Sequence, residues 1–186
     1  MTPPAAFHVS IPELETPRLL LRGFRQTDFE AYAAMMSDPD VTRYLGDGRP
    51  LNRVDAWRQL AMFAGHWQLR GFGLWAVEER STGQFIGRIG CFEPEGWPAF
   101  EIGYTLARHA WRKGYASEGA SAALEYARST LGRDEITSVI KTGNAGSIAV
   151  ATKLGATLGE TVEFYNGTAL VYRYPRVPRS GAAPKS

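Results

Sequence analysis

Residues 101–118 constrain this chain more than any other passage, because they read as a strand that runs through a basic, glycine-containing loop into a helix. Their sequence is Glu-Ile-Gly-Tyr-Thr-Leu-Ala-Arg-His-Ala-Trp-Arg-Lys-Gly-Tyr-Ala-Ser-Glu. A helix start leaves its first N–H groups unpaired and carries the positive end of the helix dipole, so a phosphate can accept several hydrogen bonds there. Gly114 lets the backbone approach a ligand closely. Arg108, Arg112 and Lys113 place three cations within six residues, which suits a pyrophosphate-bearing ligand. The same spacing also describes a surface loop whose glycine only supports a turn, so both readings stay open at this point. A P-loop is excluded, since no G-x-x-x-x-G-K-[ST] string occurs.

The elements around this passage follow from periodicity and turn chemistry. Residues 18–22 read as a first strand, and Thr27-Asp28-Phe29-Glu30 as a capping box opening a short helix that stops near Asp38-Pro39. From 52 to 70, Ala56, Leu60, Phe63 and Trp67 recur at helical spacing, and Gly71 ends the run. Three strand-like runs, 73–79, 85–92 and 99–106, are separated by turn residues and suggest an antiparallel meander. After Gly114, Ala116, Ala120, Ala123, Leu124, Ala127 and Leu131 share one helix face whose small residues permit close packing on a sheet. A strand at 136–142, a helix at 145–154 with Gly155 at its end, and a hairpin of 157–164 with 168–174 around Asn166-Gly167 complete the order βααβββαβαββ.

Composition narrows the class. At 186 residues with 44% hydrophobic and 22% charged residues, one soluble domain with a single sizeable core is expected. We place it at residues 13–177, between Pro-, Ala-, Ser- and Gly-rich ends at 1–12 and 178–186 that are expected to be disordered. A net charge of +2 gives no reason to expect nucleic-acid binding. One cysteine, Cys91, excludes an internal disulfide, and neither a signal peptide nor a membrane span is read, so the expected location is the cytoplasm.

Several strings now combine. Trp111-Arg-Lys-Gly114-Tyr-Ala116-Ser-Glu118 resembles the pyrophosphate-binding motif of the GNAT N-acetyltransferase superfamily, in the form found among its RimJ/RimL-like, ribosomal-protein N-terminal acetyltransferases. Leu14-Glu-Thr-Pro-Arg-Leu-Leu-Leu-Arg22 resembles the first strand of that branch; Asn144-Ala-Gly-Ser147-Ile and Lys153-Leu-Gly155-Ala156 resemble its last cofactor-binding helix. The resemblance covers roughly residues 14–174. It implies an α/β (α+β) fold with a mixed, mostly antiparallel central sheet of about seven strands and helices on both faces. It also implies acetyl transfer from acetyl-CoA to a primary amine, without a metal. The cofactor-binding residues it implies are Tyr104, Thr105, Leu106, Arg112, Lys113, Gly114, Tyr115, Ala116, Ser117, Asn144 and Ser147.

Many superfamily members carry, four residues before the glycine at 155, a Tyr that protonates the departing thiolate; this chain has Ala151 there. The resemblance suggests Ser147 in that role, whereas the bland alternative is a serine that satisfies a helix start. Glu101 is the acid nearest in sequence to the expected acetyl position and is the candidate base; an ordinary exposed strand residue is the alternative. Alternation puts its side chain on the same side as Gly103. By resemblance, a bulge near here splays the strand, and N–H groups around residues 104–106 hold the thioester oxygen. Cys91, Trp67 and Trp75 read as core, Trp97 as a substrate-edge or interface residue, and Asp47, Arg49 and Arg53 as a border of the acceptor groove. The expected acceptor is a protein N-terminal α-amino group, with a small amine (polyamine, amino acid or antibiotic) as the alternative. A non-catalytic acyl-CoA sensor is a further alternative, and a homodimer is a family-level expectation.

Overall fold

The computed structural model describes residues 10–176. Of the two ends expected to be disordered, 1–9 and 178–186 lie outside the described residues, as does residue 177 of the expected domain. At residues 10–12 the expectation is corrected, because Ile11 packs against the core and the Trp75 indole donates to the Pro12 carbonyl at 2.7 Å. No described helix is long and apolar enough to cross a membrane.

Eight strands form one sheet in the order β1-β2-β3-β4-β5-β6-β8-β7. They are β1 (Leu14–Glu15), β2 (Leu19–Arg22), β3 (Leu74–Glu79), β4 (Gln84–Phe92), β5 (Glu101–Leu106), β6 (Thr137–Lys141), β7 (Thr157–Phe164) and β8 (Gly167–Arg173). Among the described strands, only β5 and β6 pair in parallel. The eighth strand is the two-residue β1, too short to show a period of two in the sequence.

The helices are α1 (Phe29–Ser37), α2 (Pro39–Thr42), α3 (Arg53–Arg70), α4 (Tyr115–Ser129) and α5 (Ala145–Lys153). Asn52 caps α3 by accepting from the Asp55 N–H at 2.9 Å, and Gly71, left-handed at φ 74°, ends it. Two starts differ from expectation. The capping carboxylate before α1 belongs to Asp28, which accepts from the Arg25 N–H at 2.7 Å, while Glu30 pairs with Arg53 instead. The additional helix α2 forms because Asp38 accepts from the Asp40 N–H and Pro39 takes the first helical position.

Alternation along the strands divides the apolar side chains between two faces. On β3, Trp75 and Val77 join the cluster under α4, with Ile89, Ile102, Ala120 and Ala127, while Leu74 and Ala76 join Phe63, Phe92 and the α1 side chains. Gly119 brings α4 onto the sheet: a Cβ there would lie 2.6 Å from Ile89 Cδ1. This close contact fixes where the N-terminus of α4, and with it the basic loop, stands relative to β5.

Candidate active site

β5 and β6 touch in register only at Glu101 and Thr137, and then part. The expected bulge in β5 is absent; its pairing with β4 runs unbroken from Glu101 opposite Phe92 to Leu106 opposite Gly87. Side chains make the split instead. The Glu101 carboxylate accepts the Val139 N–H at 3.0 Å, and the Ser138 hydroxyl donates to the Ile102 carbonyl at 2.7 Å, so both occupy places where a ladder bond would form.

The Phe100 and Ile102 carbonyls take their partners from β6. Backbone polarity alternates along a strand, so Tyr104 and Leu106 present their N–H groups to the same side, into the split. Thr105 turns its backbone toward β4, which corrects its expected part in the row of donors; it still borders the cavity.

That cavity has a volume of about 600 Å³ and lies between the end of β5, the loop before α4, and the start of α5. Of the expected cofactor-binding residues, Tyr104, Thr105, Leu106, Arg112, Gly114, Tyr115, Ala116, Ser117, Asn144 and Ser147 line it. Lys113 does not: its ammonium sits 6.0 Å from the Tyr115 ring centre. Arg108 is also turned away, held by Asp38 at 3.0 Å and Asp40 at 3.2 Å, so the loop presents fewer cations than its sequence suggested.

In compensation, the backbone forms a concave row of donors. Arg112 and Gly114 are left-handed at φ 60° and 82°, and alternating handedness of this kind turns successive N–H groups toward one point. Trp111 fastens the loop by donating its indole N–H to the Leu106 carbonyl at 2.7 Å, which also engages an oxygen near an anion site.

At the other wall, Asn144 accepts from the Ser147 N–H at 3.2 Å and so caps α5 itself. The Ser147 hydroxyl has no hydrogen-bond partner among the described residues and lines the cavity, while the Ser147 carbonyl accepts from the Tyr104 hydroxyl at 2.8 Å. The Ser147 hydroxyl therefore satisfies no backbone group at the start of α5. Ala151 is fully buried in the cluster against which Tyr104 packs, so a tyrosine has no room there.

Glu101 is not an exposed strand residue. It is 7% exposed, does not line the cavity, and stands on the face shared with Phe92. Its Oε1 lies over Gly103, where a Cβ would be 3.4 Å away. Burial pushes the Glu101 carboxyl up to about 7, opposed by the Val139 N–H. Beside it, Trp97 packs on Phe92 at 5.0 Å and on Phe164 at 4.9 Å, joining the β4–β5 loop to the β7–β8 hairpin.

Other tempting side chains are structural. Cys91 is fully buried with its thiol pushed up to about 12 by burial, and Trp67 and Trp75 pack edge to face in the core. His66 spends both ring nitrogens on the Phe72 carbonyl and the Glu93 N–H. Arg53 pairs with Glu30, and Asp47 with Arg49 at 3.8 Å. No described group of three or more His, Cys, Asp or Glu residues could hold a metal. Sequence reasoning missed Tyr44, which follows α2, lines the cavity and approaches Gly143 on the opposite wall; a Cβ on Gly143 would be 3.7 Å from its hydroxyl.

Comparison with known proteins agrees with this geometry. The family profile described as "Acetyltransferase (GNAT) domain" matches residues 18–157. The uncharacterized N-acetyltransferase YoaA of Bacillus subtilis (strain 168) is 36% identical over 145 residues, covering 77% of this chain and 82% of its own. An acetyltransferase structure from Agrobacterium tumefaciens str. C58 superposes with a TM-score of 0.81 at 33% identity, covering 92% of this chain and 98% of that one. RimL, a ribosomal L7/L12 α-N-protein acetyltransferase solved with coenzyme A, shares the fold at a TM-score of 0.72 and 18% identity, covering 89% of this chain and 98% of its own. The chain belongs to the GNAT acetyltransferase family and is an acetyl-CoA-dependent N-acetyltransferase.

Proposed function

We propose that this enzyme acetylates the N-terminal α-amino group of a protein, ribosomal or similar, with Glu101 as base. The observation that carries the reading is the Glu101 carboxyl at the β5–β6 split, raised to about 7. An α-amino group has an ordinary pKa of about 7.7–8.0, against roughly 10.4 for a lysine-type amine. A carboxyl raised in this way can take a proton near neutral pH, where an α-amino group is freed more readily than a lysine-type amine. Arg88 acts on Glu101 as a neighbouring positive charge, and the Lys141 ammonium sits 6.0 Å from the Tyr165 ring centre, neither of which favours a polycationic acceptor. RimL, with the same fold, is an α-N-acetyltransferase of a ribosomal protein.

In this reading the residue 112–117 backbone holds the pyrophosphate, and the Tyr104 and Leu106 N–H groups hold the thioester oxygen. Such donors contribute about 2.7–4 kcal/mol each to an oxyanion. Glu101 takes the proton of the attacking amine directly or through water, and the Ser147 hydroxyl passes a proton to the departing thiolate while regaining one from solvent. The test is thiol release from acetyl-CoA with N-terminal peptides, polyamines and aminoglycosides, beside a Glu101→Gln variant. Peptide-dependent release that collapses in the variant supports the reading. Release only with polyamines or aminoglycosides overturns the acceptor class, and coenzyme A binding without release on any acceptor favours a sensor.

A further inference from the structure

Outside the cavity, the turn before β2 is tied to the loop before α4 by a set of bonds that the proposed chemistry does not use. The Arg18 guanidinium donates through Nη1 to the Lys113 carbonyl at 2.9 Å and through Nε to Glu118 Oε2 at 2.6 Å. Glu118 Oε1 accepts from the Arg18 N–H at 2.9 Å and from the Thr16 hydroxyl at 2.7 Å. The same guanidinium lies 4.6 Å from the Tyr115 ring centre, and its Nη2 is 3.3 Å from where a Gly114 Cβ would stand. Arg18 does not line the cavity.

We propose that Arg18 is a positioning residue that fixes the Lys113–Gly114 peptide so that its N–H, and not its carbonyl, faces the pyrophosphate. A trans peptide is planar, with its N–H and C=O pointing in opposite directions. With the Lys113 carbonyl held outward by Arg18, the Gly114 N–H points inward. Turning this peptide over changes ψ of Lys113 and φ of Gly114, and Gly114, at φ 82°, has no Cβ to resist either setting, so the plane turns over at low cost when nothing holds it. Turned over, the carbonyl oxygen would face the anion.

Glu118 adds to the argument. It is the fourth residue of α4, so its carboxylate stands in the first turn, where the helix dipole attracts any negative charge. Left loose, it would compete with the pyrophosphate for those donors. Thr16 and Arg18 engage it with three donating groups on the side away from the cavity. The turn that carries them is itself fixed: Thr16 bonds Leu19 in both directions, and the Arg80 N–H donates to the Arg18 carbonyl at 3.0 Å.

This inference rests on reading the residue 112–117 loop as the pyrophosphate site, and the experiment separates the two. Calorimetry is run with coenzyme A and with pantetheine, which lacks the pyrophosphate, on wild type, Arg18→Ala, Arg18→Lys and Glu118→Gln, with thermal midpoints recorded for each. Wild type is expected to prefer coenzyme A. Arg18→Ala should weaken coenzyme A about ten- to a hundred-fold, the range of a bond to a charged group, and leave pantetheine unchanged. Arg18→Lys, which can reach the carbonyl or the carboxylate but not fork to both, should recover part of the loss. Equal weakening of both ligands in Arg18→Ala, or no change in either, overturns the proposal while the loop reading stands. A wild type that binds pantetheine as tightly as coenzyme A overturns the loop reading and the proposal with it. If Arg18→Ala does not fold, Arg18→Lys and Glu118→Gln decide by the same ratio.

Discussion

The Glu101 carboxylate accepts the Val139 N–H at 3.0 Å, across the point where β5 and β6 part. One group therefore props the sheet open and is also the base of the proposed reaction. Glu101→Gln keeps an oxygen for Val139 but cannot take a proton. It should lower kcat/KM by about 10²–10⁴, the range of general acid–base contributions, and leave acetyl-CoA binding nearly unchanged. A wild-type profile of kcat/KM that rises through pH 7 and loses that limb in the variant checks the assignment; equal activity of the two enzymes refutes it.

The same substitution should stabilise the protein above neutral pH. A carboxyl raised from about 4.5 in the unfolded chain to about 7 when folded binds its proton more tightly in the native state. Stability from this group is therefore present at low pH and lost as pH rises from about 4.5 through 7. At pH 8 the buried charge costs on the order of 3 kcal/mol, which the neutral Gln avoids. Thermal midpoints of wild type and variant should differ at pH 8 and converge near pH 5; a variant less stable at pH 8 contradicts the picture.

What the sequence made legible was local. Asn52 and Gly71 mark the ends of α3, and small residues mark the face of α4 that lies on the sheet, because caps and close packing act within a few residues. The cavity walls built from residues 104–117 and 144–147 were also legible, since each stretch is contiguous, whereas the wall from residues 40–45 was not. What remained hidden depends on partners far away in the chain. Arg108 looked like a phosphate ligand because Asp38 and Asp40, which claim it, lie about seventy residues earlier. The split between β5 and β6 comes from Glu101 and Ser138, not from a bulge, and no spacing records that pairing. Helix α2 covers four residues, too few for a periodic signal, although Asp38-Pro39 carried its capping chemistry.

Ser147 and Ala151 can be separated by mutation. Ser147→Ala should reduce kcat about ten-fold with little change in the acetyl-CoA KM, because a thiol with an ordinary pKa of about 8.5 leaves tolerably without a strong acid. Placing a tyrosine at 151 in that background should not restore the rate. Ala151 is fully buried, and overpacking there costs typically about 1–3 kcal/mol, so a lower thermal midpoint is expected. Full activity in Ser147→Ala removes the serine from the mechanism.

Gly103 offers a test of the acceptor path that leaves the cofactor side intact. A methyl at this position would stand 3.4 Å from Glu101 Oε1 and 3.7 Å from Leu74 Cδ2, both ordinary contacts, and the Gly103 φ is not in the left-handed region. Gly103→Ala should therefore fold with a thermal midpoint close to wild type. Its methyl would nonetheless occupy the space beside the carboxylate, through which the amine approaches if Glu101 is its base. A displacement of about 1 Å at a reacting centre can cost on the order of a hundred-fold in rate. The expected outcome is a fall of at least ten-fold in kcat/KM for the acceptor with acetyl-CoA binding preserved, measured by steady-state kinetics and calorimetry. Unchanged kinetics would mean that the amine reaches the thioester from a side other than the one Glu101 and Gly103 share.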